Sequence, residues 1–166
     1  MPNWCYNSVI FSGENRHKAE KLFKELIEEQ TATGLGVRPK WKACEKYESR
    51  YMFDIVHYGD GVYQFETKWA PPISLIFLIG RRLKVYAELS FDECGMGLYG
   101  KVFFNPTMPD IMMIKDASSM HYTYNDDKGV YIYKNEEYES LYDFMDNEID
   151  NMIAVPISKD QVLREG

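Results

Sequence analysis

Two triplets of side chains in this sequence have the types and spacing for binding or acid–base chemistry. Gln64, Glu66 and Lys68 alternate along one predicted strand, and Tyr86, Glu88 and Ser90 along another. Each triplet therefore shares a single face, because side chains on a strand repeat with a period of two. Facing away from the helices, Glu66 and Glu88 would form a carboxylate pair suited to acid–base work or to a divalent ion, with Asp92 and Glu93 in support. A solvated sheet face, or one covered by the C-terminal region, is the simpler reading.

Three further groups invite a functional reading. Asn3, Trp4 and Asn7 place two amides around an indole, which suits a ring-shaped or peptide ligand; Trp69, directly before Ala70-Pro71-Pro72, invites the same thought. The structural alternative makes both tryptophans core, with Trp4 plugging one end, Trp69 closing over a helix start, and the asparagines capping backbone groups. Tyr122, Tyr124, Tyr131 and Tyr133 form a ladder on one face of a predicted hairpin, followed by the acidic Glu136, Glu137 and Glu139. That combination suits partner contact, although cross-strand packing would use the same rings.

Other chemistry has less support. Asp92-Glu93-Cys94-Gly95-Met96-Gly97 is glycine-rich, but predicted strands flank it and its acids would repel phosphate, so it reads as a turn. No GxSxG signature marks a nucleophile. Cys5, Cys44 and Cys94 lack CxxC spacing, so the sequence predicts reduced thiols and no metal or cofactor; ligands drawn from these and His17, His57 and His121 would have to converge in space.

The elements that must position these residues follow from periodicity. CYNSVIF, 5–11, alternates as a strand, and Ser12 is placed to cap a helix over 14–30 whose apolar stripe is Ala19, Leu22, Phe23, Leu26 and Ile27. A long connection over 31–48 carries Trp41. Two alternating runs, 51–58 and 62–69, flank Gly59-Asp60-Gly61 and read as a hairpin. Pro71 and Pro72 cannot donate to a ladder but suit a first helical turn, so they end the strand and begin a helix running to Leu83. Strands at 84–91 and 97–104 follow, the second on the edge. The order strand, helix, strand, strand, helix, strand is the ferredoxin-like split βαβ arrangement: an α+β fold with both helices on one face of an antiparallel sheet and the other face open. Beyond Pro109 the sequence predicts a hairpin (120–125 with 130–135), a helix over 136–149 and a loose tail from about Lys159. Two units are thus expected: a ferredoxin-like domain over 1–109, and an acidic, tyrosine-rich extension over 110–166 packed on it.

Composition bounds the function. An apolar fraction of 45% supports a packed core, and the longest apolar run, 73–80, is too short to span a membrane. The N-terminus lacks the basic and apolar regions of a secretory leader, which predicts a cytoplasmic protein. A net charge of −7 argues against direct nucleic-acid binding. The acidity is uneven: residues 1–109 carry 14 basic against 13 acidic side chains, and residues 110–166 carry 5 against 13.

The opening MPNWCYNSVIFSG, the seam FETKWAPP and the stretch YAELSFDECGMGLYGKVFF resemble the YubB-like ferredoxin-like domain proteins of bacterial phages and plasmids. The resemblance covers about residues 1–104. It implies the ferredoxin-like fold, carriage on a mobile element and no established activity. Where that family has Ser before the two prolines, this chain has Ala70. The leading expectation is a non-catalytic, acidic module binding a host or element-encoded protein. The alternatives are a small enzyme or nucleotide-binding protein using the open face, and an acidic nucleic-acid mimic or anti-defence factor.

Overall fold

The computed structural model describes residues 3–45, 51–93, 95–117 and 120–164. The first strand, β1, spans Trp4–Ser12 and leads into helix α1, Arg16–Thr33. A short helix α2, Lys42–Glu45, precedes strands β2, Phe53–His57, and β3, Val62–Lys68. Helix α3, Ile73–Leu83, is followed by β4, Tyr86–Glu93, and β5, Leu98–Phe104. The remainder comprises β6, Ile111–Asp116; β7, Thr123–Asn125; β8, Val130–Tyr133; β9, Glu136–Tyr138; α4, Leu141–Asn151; β10, Val155–Ser158; and α5, Lys159–Arg164.

Seven strands form one sheet in the order β10-β6-β5-β4-β1-β3-β2, and all its pairings are antiparallel. Within it, β4-β1-β3-β2 with α1 and α3 is the expected ferredoxin-like unit. Helix α1 contacts β1 and β2, α3 contacts β4 and β5, and the helices touch each other. Alternation explains why they share one face. Cys5, Val9 and Phe11 on β1, Tyr63, Phe65 and Thr67 on β3, and Ala87, Leu89 and Phe91 on β4 are all buried. They meet Ala19, Phe23 and Leu26 of α1 and Leu75, Ile76 and Ile79 of α3. Phe23 packs on Phe11 and Tyr63 with ring centroids 5.2 and 4.4 Å apart, while Phe77 meets Phe104 edge-on at 5.5 Å.

Local chemistry accounts for the joints. Gly61 has φ +76, and a Cβ there would stand 2.5 Å from the carbonyl oxygen of Phe11, so only glycine closes the β2–β3 turn against β1. Helix α3 begins directly after the prolines, the amide of Ile76 donating to the carbonyl of Pro72 at 3.0 Å. Lys134 and Asn135 have φ 52 and 67, the two left-handed residues that a tight two-residue hairpin loop requires between β8 and β9.

Several expectations are corrected. Ser12 ends β1 instead of capping α1, whose flanking residue Asn15 makes no side-chain cap bond. The helix read over 136–149 begins only at Leu141, because the Ser140 hydroxyl accepts from the Asp143 amide (3.2 Å) and fixes the start there, leaving Glu136–Tyr138 to pair with β8. Strand β5 is not an edge: β6 and β10 lie outside it. The tail from Lys159 forms α5, anchored by buried Val162. Part of the 31–48 connection is helical (α2), Val37 bridges Met52, and residues 46–48 lie outside the described residues, as does Cys94 of the 92–97 turn. No helix among the described residues is long and apolar enough to cross a membrane.

Candidate functional site

The face away from α1 and α3 is organised in rows by register. One row runs Glu66, Tyr6, Asp92, Tyr99; the next runs Gln64, Ser8, Ser90, Lys101, Lys115; the third runs Ile10, Glu88, Phe103, Met113. Helix α4 crosses this face above β5. The Tyr99 hydroxyl donates to Asp146, Lys101 pairs with the Asp150 carboxylate at 2.9 Å, and the Lys115 ammonium donates to the Asp150 carbonyl at 3.2 Å. At the opposite side an irregularity in β2 between Phe53 and Val56 carries Asp54 at φ 50.

Between α4 and β2 the sheet floor holds a cavity of about 510 Å³. Its lining includes the carboxylates of Asp54, Glu66, Asp92 and Asp146, the rings of Tyr6, Tyr99 and Tyr142, and one cation, Lys101. That cation is already matched by Asp150, so the concavity is strongly negative. Desolvation, then the neighbouring Asp54 charge, hold Glu66 above the usual carboxylate range. Burial, then the bond to Asp146, push the Tyr99 phenol well above its ordinary value, so it remains a hydrogen-bond donor and not a base. A second cavity of about 410 Å³ lies along the same face, lined by Ile10, Tyr86, Glu88, Phe103, Met108 and Met113 among others.

Register separates the expected carboxylate pair. Glu66 stands opposite Tyr6 and Glu88 opposite Ile10, four positions along β1, so the two line different cavities. Lys68 pairs with Trp4 at the edge of the face, its ammonium 5.7 Å from the indole centroid and 5.1 Å from the Phe53 ring. Trp4 therefore lies on the open face, edge-on to Phe53 at 5.2 Å, and does not plug the core. Trp69 is not core either: it is 50% exposed, because its backbone turns at φ 70 as the chain leaves β3 for the prolines. Asn7 is 4% exposed and points inward. Its amide donates to the Cys5 carbonyl (2.8 Å) and to the Thr67 hydroxyl (3.0 Å), which in turn donates to the Ala70 carbonyl (2.8 Å). The Trp69 amide donates to the Asn3 carbonyl at 2.8 Å. The opening motif and the tryptophan–proline seam are thus tied together at a joint whose buried members are Cys5, Asn7 and Thr67. Glu93, 1% exposed, likewise accepts from the amides of Gly95 and Met96 and folds its own turn.

The tyrosines of the hairpin surround Phe144 of α4. Tyr133 stacks on it at 5.0 Å, Tyr122 lies at 5.6 Å, and Tyr131 packs against Tyr122 and Tyr124. Glu136 accepts from Tyr138, Glu137 pairs with Lys128, and Glu139 is exposed. No cluster of three or more metal-ligating side chains occurs among the described residues. Sequence reasoning missed Asp54, Tyr99 and Asp146, which reach the cavity through a strand irregularity and through the docking of α4; neither has a local signal.

Residues 46–145 match the family described as "Ferredoxin-like domain in Api92-like protein", a stretch that begins ahead of β2 and ends within α4. No curated protein and no solved structure matches. The chain belongs to that ferredoxin-like family.

Proposed function

We propose that the chain is a non-catalytic protein-interaction module, cytoplasmic and carried by a phage or plasmid, that receives a basic segment of a host or element-encoded protein on its open sheet face. The observation that carries this reading is the negative cavity over β3, β1 and β4. Carboxylates of Asp54, Glu66 and Asp146 beside tyrosine rings complement a guanidinium or ammonium, which gains from both charge and ring faces. The same carboxylates repel phosphate, which disfavours direct nucleic-acid binding. Carriage on a mobile element, and the narrower YubB-like affiliation, rest on the MPNWC opening and the FETKWAPP seam.

A paired capture experiment tests the surface. The Asp54→Asn/Glu66→Gln variant is expected to lose the partner that wild type retains from host extract, and Glu136→Lys/Glu137→Lys/Glu139→Lys to keep it. The reverse pattern would move the docking surface to the acidic strand and refute the reading. The raised pKa of Glu66 favours a second reading, a small enzyme using that carboxyl as a general acid or base. Thermal-shift screening against nucleotides and divalent metals addresses it; the absence of any stabilisation counts against an enzyme.

A further inference from the structure

The two cavities lie side by side along the open face and share no lining residue. Between the Tyr6/Asp92 row and the Ile10/Glu88 row lie Ser8 and Ser90, directly paired and both small. Their short side chains stand between the cavities, where the neighbouring rows carry larger ones on β1 and β4. One cavity is negative, with Asp54, Glu66 and Asp146; the other is apolar, with Ile10, Tyr86, Phe103 and Met113. The two are separated by the four residues from Tyr6 to Ile10, about 13 Å at the rise of a strand.

We infer that the pair of cavities recognises an extended peptide through two side chains four residues apart, one an arginine or lysine and the other a large aliphatic residue. This rests on the docking surface proposed above and specifies its occupant. An extended chain rises at the same rate as β1, so residues i and i+4 both point to the sheet and reach the two cavities together. The basic group meets Glu66 and Asp54 and can lie against the Tyr6 ring. The aliphatic group enters the pocket of Ile10, Phe103 and Met113, where Glu88 at the wall excludes an acidic residue. Lys101 and Lys115 do not oppose the basic group, since Asp150 holds both ammonium groups against α4.

The test uses the full chain and fluorescein-labelled nine-residue Gly/Ser peptides bearing one Arg and one Leu, read by fluorescence anisotropy at low salt. Arg and Leu four apart are expected to bind about tenfold or more tighter than three apart, because the latter turns Leu to the wrong face. Glu66→Gln is expected to weaken the four-spaced peptide and leave its Arg→Ala form unchanged. Ile10→Ala should weaken the same peptide and leave its Leu→Ala form unchanged. Asp54→Asn provides a second acidic variant, and circular dichroism melts establish that each variant is folded. No binding of the four-spaced peptide, or equal binding at every spacing, overturns the inference. If spacing has no effect while Asp54→Asn/Glu66→Gln still loses the captured partner, the surface stands and the two-point register fails. Preference for spacings of seven or eight would replace the extended peptide by a helix and also overturn it.

Discussion

Truncating Asn7 tests whether the opening motif is a structural joint. Beside longer contacts to the Phe65 carbonyl (3.4 Å) and from the Cys5 thiol (3.6 Å), its side-chain amide makes two short buried hydrogen bonds, 2.8 Å to the Cys5 carbonyl and 3.0 Å to the Thr67 hydroxyl. Each contributes about 1 kcal/mol net, and the cavity left by the removed amide adds a comparable cost, so Asn7→Ala should lose about 2 to 4 kcal/mol. For a chain of this size that lowers Tm by roughly 5 to 15 °C. Thr67→Val keeps the shape and removes the hydroxyl that accepts from Asn7 and donates to Ala70, and should lose about 1 to 2 kcal/mol. Because both single variants break the same Asn7–Thr67 bond, the double variant should cost about 1 kcal/mol less than the sum. Urea unfolding followed by circular dichroism measures all three. A loss below about 0.5 kcal/mol for Asn7→Ala, or strict additivity in the cycle, would refute the joint and return Asn7 to the list of candidate ligand contacts.

Burial raises the Cys5 thiol from 9.0 to about 12. The unfolded chain therefore sheds this proton first as pH rises, so stability should fall between about pH 9 and 12; urea midpoints across that range should flatten in Cys5→Ala. At Gly80 a Cβ would stand 2.2 Å from the Phe104 ring, which is buried against Phe77. Gly80→Ala should therefore destabilise by about 1 to 2 kcal/mol despite the gain in helix propensity, and a rise in Tm would show that the ring can yield. Carboxyl NMR should find Glu66 titrating above the usual glutamate range. Asp54→Asn should lower it only partly, since desolvation is the larger cause; full return to the ordinary value would assign the shift to charge alone.

The sequence made the ferredoxin-like unit legible because its strands are covered on one side only. Tyr63, Phe65 and Thr67 alternate cleanly with Gln64, Glu66 and Lys68, and Pro71-Pro72 punctuate where α3 begins. The two added strands were not legible. In β6, Ile111, Met112, Met113 and Ile114 form an unbroken apolar run, and β10 contains a proline; period two shows in neither. Strand β9 was absorbed into a helical spacing that Ser140 cuts short. The carboxylate pair failed for a different reason. Alternation tells which residues share a face but not how strands slide against each other, and the register set Glu66 and Glu88 four positions apart.

Charge was misplaced by composition in the same way. The C-terminal third holds the excess of acids, yet four of its carboxylates are individually paired: Glu137 with Lys128, Glu148 with Lys134, Asp110 with Lys159, and Asp150 with Lys101 of β5. Exposed pairs of this kind contribute little stability, but they cancel the field that an unpaired cluster would project. The concavity that remains negative is built mainly by the balanced first two thirds, from Asp54, Glu66 and Asp92, with Asp146 reaching it from α4. Helix α4 therefore matters less for its own charge than for what it does to Tyr99 and Lys101. Its Asp150 holds the Lys101 ammonium, its Asp146 accepts from the Tyr99 phenol, and the helix raises one wall of the cavity over the sheet.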